Sequence, residues 1–255
     1  MSGESSMPLT GHLTELRNRI LYILGTILVV FLGAYFFSAE LLNLMQRPIA
    51  GQKLVFLSPT EAFFAHIKVS FFGSVFISLP IILFQIWRFC APGLLHREKR
   101  YIVPFVFFST LSFIVGALFC YFLILPYGLA FLLSFATENL TPQISIGFYI
   151  SFAFKLIFTF GLVFEVPIVT ILLVQIGVIT PEFLSKNRGY VIVGAFVLSA
   201  LLTPPDVVTQ VFLAGPVIVL FEISIIVSKI IMKRKKKREE EREKEWEDEE
   251  DDDSD

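Results

Sequence analysis

The chain has 255 residues, of which 55% are hydrophobic and only 17% charged, and its mean hydropathy is +0.73. A soluble globular chain is nearer a quarter charged, so an ordinary soluble domain is excluded. The net charge of −2 says little, because positive and negative residues are segregated along the sequence.

The first nine residues hold no basic stretch followed by an apolar core, so no cleavable signal or transit peptide is expected. From His12 the pattern is helical and amphipathic. Leu13, Leu16 and Ile20 share one face, while His12, Glu15 and Arg19 share another. Glu15 and Arg19 have the spacing of an ordinary i,i+4 ion pair, worth a few tenths of a kcal/mol.

A membrane-spanning helix needs roughly 20 apolar residues to cross about 30 Å of hydrocarbon. Candidates run over Ile20–Ser38, Val69–Cys90, Ile102–Leu125, Phe148–Gly177, Tyr190–Leu202 and Val207–Val227. The fold class is therefore an all-α polytopic membrane protein with six transmembrane helices. The last two look short. At about 1.5 Å per residue the fifth reaches only ~20 Å, and the sixth carries Pro216 in its middle, which favours a kink. Thr203-Pro204-Pro205-Asp206 joins them, so a re-entrant hairpin or two short spans under a thinned bilayer fit equally. Cys90 and Cys120 lie in or beside apolar segments and read as small hydrophobes, not as a disulfide or metal pair.

Basic residues favour alternate loops. Arg17 and Arg19 precede the first span, Arg97, Lys99 and Arg100 follow the second, and Lys186 and Arg188 follow the fourth. The tail opens with Lys229 and Lys233 to Arg238, whereas spans three and four are joined without any Lys or Arg. This asymmetry predicts that both termini are cytoplasmic. The chain thus divides into a cytoplasmic amphipathic segment over 1–19, a transmembrane domain over 20–228 and a charged tail over 229–255. The tail is expected to be disordered, its basic block meeting anionic lipid and its acidic end solvated.

Catalytic constellations are missing: no His-Glu-x-x-His, Gly-x-Ser-x-Gly, P-loop or Cys-x-x-Cys occurs, and an enzyme is not expected. The three histidines lie outside the apolar cores and carry no expectation of a metal; no cofactor is expected either. The informative residues are acids in unusual places. Glu165 lies deep in the fourth span, where an ionised carboxylate costs around 2.5–3.5 kcal/mol on insertion scales. It must meet a partner, a cavity or water, or be protonated. Pro167 frees a backbone carbonyl near the same depth. Lys155 is about 15 Å away along the helix, too far for direct pairing, and Glu222 lies closer to the inner surface. Glu98, between Arg97 and Lys99, would read as surface charge on its own.

Several ordered motifs together resemble the TatC family of the twin-arginine protein translocase. They are His12-Leu-Thr-Glu15-Leu-Arg17-Asn-Arg19, Ser58-Pro59-Thr60-Glu61 and Trp87-Arg-Phe89-Cys-Ala-Pro92-Gly-Leu. Further along come His96-Arg-Glu98-Lys-Arg100, Phe164-Glu165-Val-Pro167, Gly194-Ala-Phe and Leu202-Thr-Pro-Pro-Asp206. The resemblance covers nearly the whole chain, and the two short final spans are also a property of that family. The acidic tail and Cys90 lie outside the motifs.

The resemblance implies a core receptor in the bacterial inner membrane that binds twin-arginine signal peptides of folded cargo. It would assemble with small single-spanning subunits of TatA/TatB type into a multimeric complex driven by the proton gradient, without nucleic acid. Glu15 and Glu98 would pair with peptide guanidinium groups, which suit bidentate carboxylate contact. Phe89 would meet the peptide's apolar side. Arg17 and its basic neighbours would keep the acids ionised. Glu165 would form an intramembrane polar site in a concave, glove-like scaffold, while Pro48, Pro59, Glu61 and Asp206 would shape the outer face. The physical alternative is a secondary transporter or channel with Glu165 and Lys155 on an ion path, which would show helices broken in related halves. No such paired pattern is seen.

Overall fold

The structure, a computed structural model, describes residues 9–49, 51–90, 102–137, 141–202 and 207–252. The chain divides into two compact units, up to Leu162 and from Val163, with the boundary inside one long helix.

The first described element is α1 (Leu9–Phe36), so from Leu9 onward the amphipathic segment is continuous with the first spanning helix. Leu21, Leu24, Leu28, Val29 and Leu32 along it are exposed, as apolar side chains facing lipid would be. The short α2 (Ser38–Gln46) follows, then a 3₁₀ turn over Arg47–Ile49 and the two-residue β1 (Leu54–Val55). At the end of α2 the Leu44 carbonyl accepts from the Arg47 amide, and tyrosine hydroxyls add to this helix end. Tyr121 donates to the carbonyl of Leu44 at 2.7 Å and Tyr149 donates to that of Met45.

The next helix, α3 (Pro59–Cys90), has proline as its first residue and packs antiparallel to α1. Small residues bring it close to its neighbours. Ser70 and Ser74 are fully buried and donate back to the carbonyls of His66 and Phe71, which removes their need for outside partners. The third span is one rod made of α4 (Ile102–Phe119), a π turn over Cys120–Ile124 and α5 (Leu125–Leu133). Pro126 explains the wide turn. Its ring would clash with the carbonyl four residues earlier, and one extra residue per turn relieves the conflict.

The fourth span begins with β2 (Ile144–Ser145), which pairs in parallel with β1 and leads directly into α6 (Ile146–Gln175). Phe113 on α4 packs edge-on against Phe76 of α3 and Phe158 of α6, with ring centroids 5.6 Å apart in each case. Gly161 makes this packing possible. A Cβ there would lie 2.5 Å from the Phe113 ring.

In the second unit, α6 is closed just past its last residue by Gly177, whose φ of +77° lies in the left-handed region that favours glycine. The amide of Val178 donates to Leu173 at 2.9 Å, closing the helix end. Thr180 then caps α7 (Pro181–Lys186) by accepting from the Phe183 amide at 3.2 Å. Two helices follow, α8 (Arg188–Leu202) and α9 (Val207–Asp252), with a small core of Val174, Leu184, Phe221 and Ile225.

Among the described residues five helices are long and apolar enough to cross a membrane, and α8 is a shorter apolar helix of 15 residues. The sixth span, expected to be short, belongs to a helix whose apolar part covers Val207–Arg234. Helix α9 runs on to Asp252, through most of the charged tail. Glu, Lys and Arg are strong helix formers, and Lys237 and Glu241 form an i,i+4 pair at 3.5 Å.

Candidate functional site

Of the expected peptide-binding residues, Glu15, Arg17 and Phe89 lie at one end of the α1–α3 pair. Arg19 on α1 donates to the Glu15 carboxylate through Nε at 3.1 Å and also through Nη2. Its Nη1 reaches Gln85 Oε1 on α3 at 3.1 Å. The Arg19 side chain is 13% exposed and that of Glu15 25%, so the pair is partly sheltered at a helix junction. From this contact Glu15 lies one turn toward the start of α1, and Phe89 one turn toward the end of α3. Because the helices are antiparallel, both steps lead in the same direction. Glu15 and Phe89 therefore share a level at the same rim. Arg17 projects from the same turn of α1 and is exposed. Glu98 lies outside the described residues.

At the opposite end of the same unit, Glu61 joins three pieces of chain. Its Oε2 accepts from the Leu57 amide at 2.6 Å, and its Oε1 accepts from the Gly147 amide at 2.8 Å and from the Ser145 hydroxyl. One carboxylate thus fastens the loop before α3 to the start of α6, next to the β1–β2 pairing. Gly147 permits this close approach, since a Cβ there would lie 2.7 Å from Glu61 Oε1 and would push the carboxylate aside. Pro59 is the first residue of α3, and Pro48 lies in the 3₁₀ turn after α2. Asp206 lies outside the described residues.

In the second unit Glu165 is buried, at 8% exposed, two residues before Pro167 within α6. The proline has no amide hydrogen for the carbonyl of Val163, its usual acceptor in a helix. Farther along, Arg188 at the start of α8 pairs with Glu222 on α9 at 3.2 Å. Both side chains are more than a third exposed, so this ion pair contributes little to stability.

The family model for Sec-independent protein translocase protein (TatC) matches residues 11–216, which include every motif described above. The chain belongs to the TatC family. Among curated TatC proteins, that of Aquifex aeolicus is 44% identical over 234 residues, covering 89% of this chain and 97% of the relative. That of Escherichia coli K12 is 39% identical over 234 residues, covering 90% and 91%. A crystal structure described as "Twin Arginine Translocase Receptor- TatC in DDM" superposes with a TM-score of 0.78 at 43% identity, covering 85% of this chain and 99% of that one. The chain is thus a multi-pass membrane subunit of a protein translocase.

Gln85, Ser145 and Gly147 escape a reading of TatC motifs by sequence alone, although each touches a motif residue. Ser145-Ile146-Gly147 does carry a local signal: a hydroxyl before a helix start, followed by a glycine where backbone and side chain approach closely.

Proposed function

We propose that this chain is the receptor subunit that binds twin-arginine signal peptides at the cytoplasmic face of the bacterial inner membrane, with both termini cytoplasmic. Glu15 and Glu98 receive peptide guanidinium groups, Phe89 contacts the apolar side of the peptide, and Arg17 helps hold the acids ionised. Glu165 offers an intramembrane polar contact to a single-spanning partner of TatA/TatB type, and transport of folded cargo draws on the proton gradient. Pro48, Pro59, Glu61 and Asp206 maintain the outer face.

The observation that carries this reading is the ion pair of Glu15 with Arg19, braced by Gln85 at the level of Phe89. Glu15 already sits in a geometry that accepts a guanidinium, at the same helix rim as Phe89. A peptide arginine offers the same planar fork of donors, which a lysine ammonium lacks. The test is Glu98→Lys with a photo-crosslinkable twin-arginine peptide. Crosslinking should be lost, and a peptide with an acidic pair in place of the arginines should recover part of it. Retained crosslinking of the arginine peptide would sink the assignment.

A further inference from the structure

The guanidinium that Glu15 accepts in this structure is the chain's own. Arg19, one helical turn along α1, donates to the carboxylate through Nε at 3.1 Å and through Nη2. Its third nitrogen, Nη1, reaches Gln85 Oε1 on α3 at 3.1 Å. All three guanidinium nitrogens are thus engaged, two on an acid and one on a neutral amide. The Arg19 side chain is 13% exposed and that of Glu15 25%, so an incoming group reaches the carboxylate more readily than the arginine behind it.

A peptide arginine carries the same planar fork of donors that Arg19 already places on Glu15. If it approaches while Arg19 is in place, two positive charges crowd one carboxylate and repel each other. The cheaper course is exchange, and the second helix makes exchange affordable. Arg19 released from Glu15 keeps Gln85 as an acceptor, so the partly sheltered guanidinium is not stripped of partners.

We propose that Arg19 is an internal stand-in for the peptide arginine. It occupies the guanidinium seat of Glu15 in the unliganded chain and yields it, turning onto Gln85, when a peptide arginine arrives. The proposal rests on the reading of Glu15 as a peptide-binding carboxylate. It gives Arg19 two effects: the acid is oriented before the peptide comes, and every cation that seats on Glu15 must first displace a competitor. Competition of this kind lowers the affinity of all such peptides by one factor, which excludes weak ligands without changing the ratio between ligands.

Fluorescence anisotropy of labelled twin-arginine and twin-lysine peptides, titrated with the purified full chain in neutral detergent, tests this. Arg19→Gln should tighten both peptides by the same factor, about threefold, the range of a partly exposed ion pair. Arg19→Lys keeps the charge and loses the fork; it should tighten both by less, and it stands in if the Gln variant does not fold. In a Glu15→Gln background the gain from Arg19→Gln should vanish, because the two residues act through one contact. Glu15→Gln alone should weaken the arginine peptide; an unchanged affinity there would remove the peptide-binding reading itself. If Glu15→Gln weakens binding while Arg19→Gln leaves it unchanged or weakens it, the exchange is wrong and the carboxylate assignment stands. An equal gain from Arg19→Gln with and without Glu15 would reduce the effect to general charge repulsion and overturn the proposal.

Discussion

Replacing Gly161 by alanine adds one methyl group at the tightest point of the first unit. The new Cβ would lie 2.5 to 2.7 Å from three carbons of the Phe113 ring, where ordinary contact begins at 3.4 Å. The ring must retreat by about 0.9 Å. It has nowhere to go: Phe113 is 1% exposed and is held edge-on by Phe76 and Phe158. Overpacking of this kind costs typically 1–3 kcal/mol, and the better helix propensity of alanine returns roughly 0.5–1 kcal/mol. Because the ring is boxed in, the cost falls in the upper part of that range, and a net loss of about 1–2.5 kcal/mol should lower the melting midpoint by about 2–10 °C for a domain of this size. Thermal unfolding in detergent, followed by a thiol-reactive dye at the buried Cys120 or by size-exclusion chromatography, reads the shift. Phe113→Leu in the same chain should relieve it, so the two changes together cost less than their sum. A Gly161→Ala protein as stable as its parent, or strict additivity with Phe113→Leu, would refute the packing argument.

Gln85→Leu removes the acceptor that braces Arg19 and should cost about 1 kcal/mol; the same melting assay checks it, and twin-arginine peptide affinity should fall with it. Glu61→Ala frees the amides of Leu57 and Gly147, so hydrogen exchange at both should quicken while Glu61→Gln shows a smaller change. Unaltered exchange at Gly147 would show that the clasp between α3 and α6 does not depend on this carboxylate. Glu165→Ala should leave signal-peptide binding largely intact yet abolish transport of a folded cargo in membrane vesicles. Continued transport would remove Glu165 from the proposed partner site.

Local signals in the sequence were good guides to where helices begin and end. Gly177 closes α6 where the apolar run stops, and the charged face of His12–Ile20 is a real helical face on α1. Hydropathy measures only the apolar run, however, so it misplaced helix starts. α3 begins at Pro59, ten residues before the run at Val69, because Pro59 suits a first turn and Glu61 ties that turn to distant chain. In the tail the charges argue for solvation while the residues are also strong helix formers, and α9 continues through them to Asp252. Contacts across long separations were the least legible. The bond from Ser145 to Glu61 spans 84 residues and that from Arg19 to Gln85 spans 66, and no periodicity encodes either. Glu165 stood out because burial of an acid is costly wherever it occurs.

The proposed function rests on recognition of paired arginines by the Glu15 and Glu98 carboxylates. Its most direct test is co-purification of the full chain with a folded cargo bearing a twin-arginine signal peptide, against the same cargo with two lysines. The account predicts that the arginine cargo is retained and the lysine cargo largely lost, and that Glu15→Ala with Glu98→Ala abolishes the difference. Equal retention of both cargoes, or discrimination that survives the loss of both acids, would contradict it.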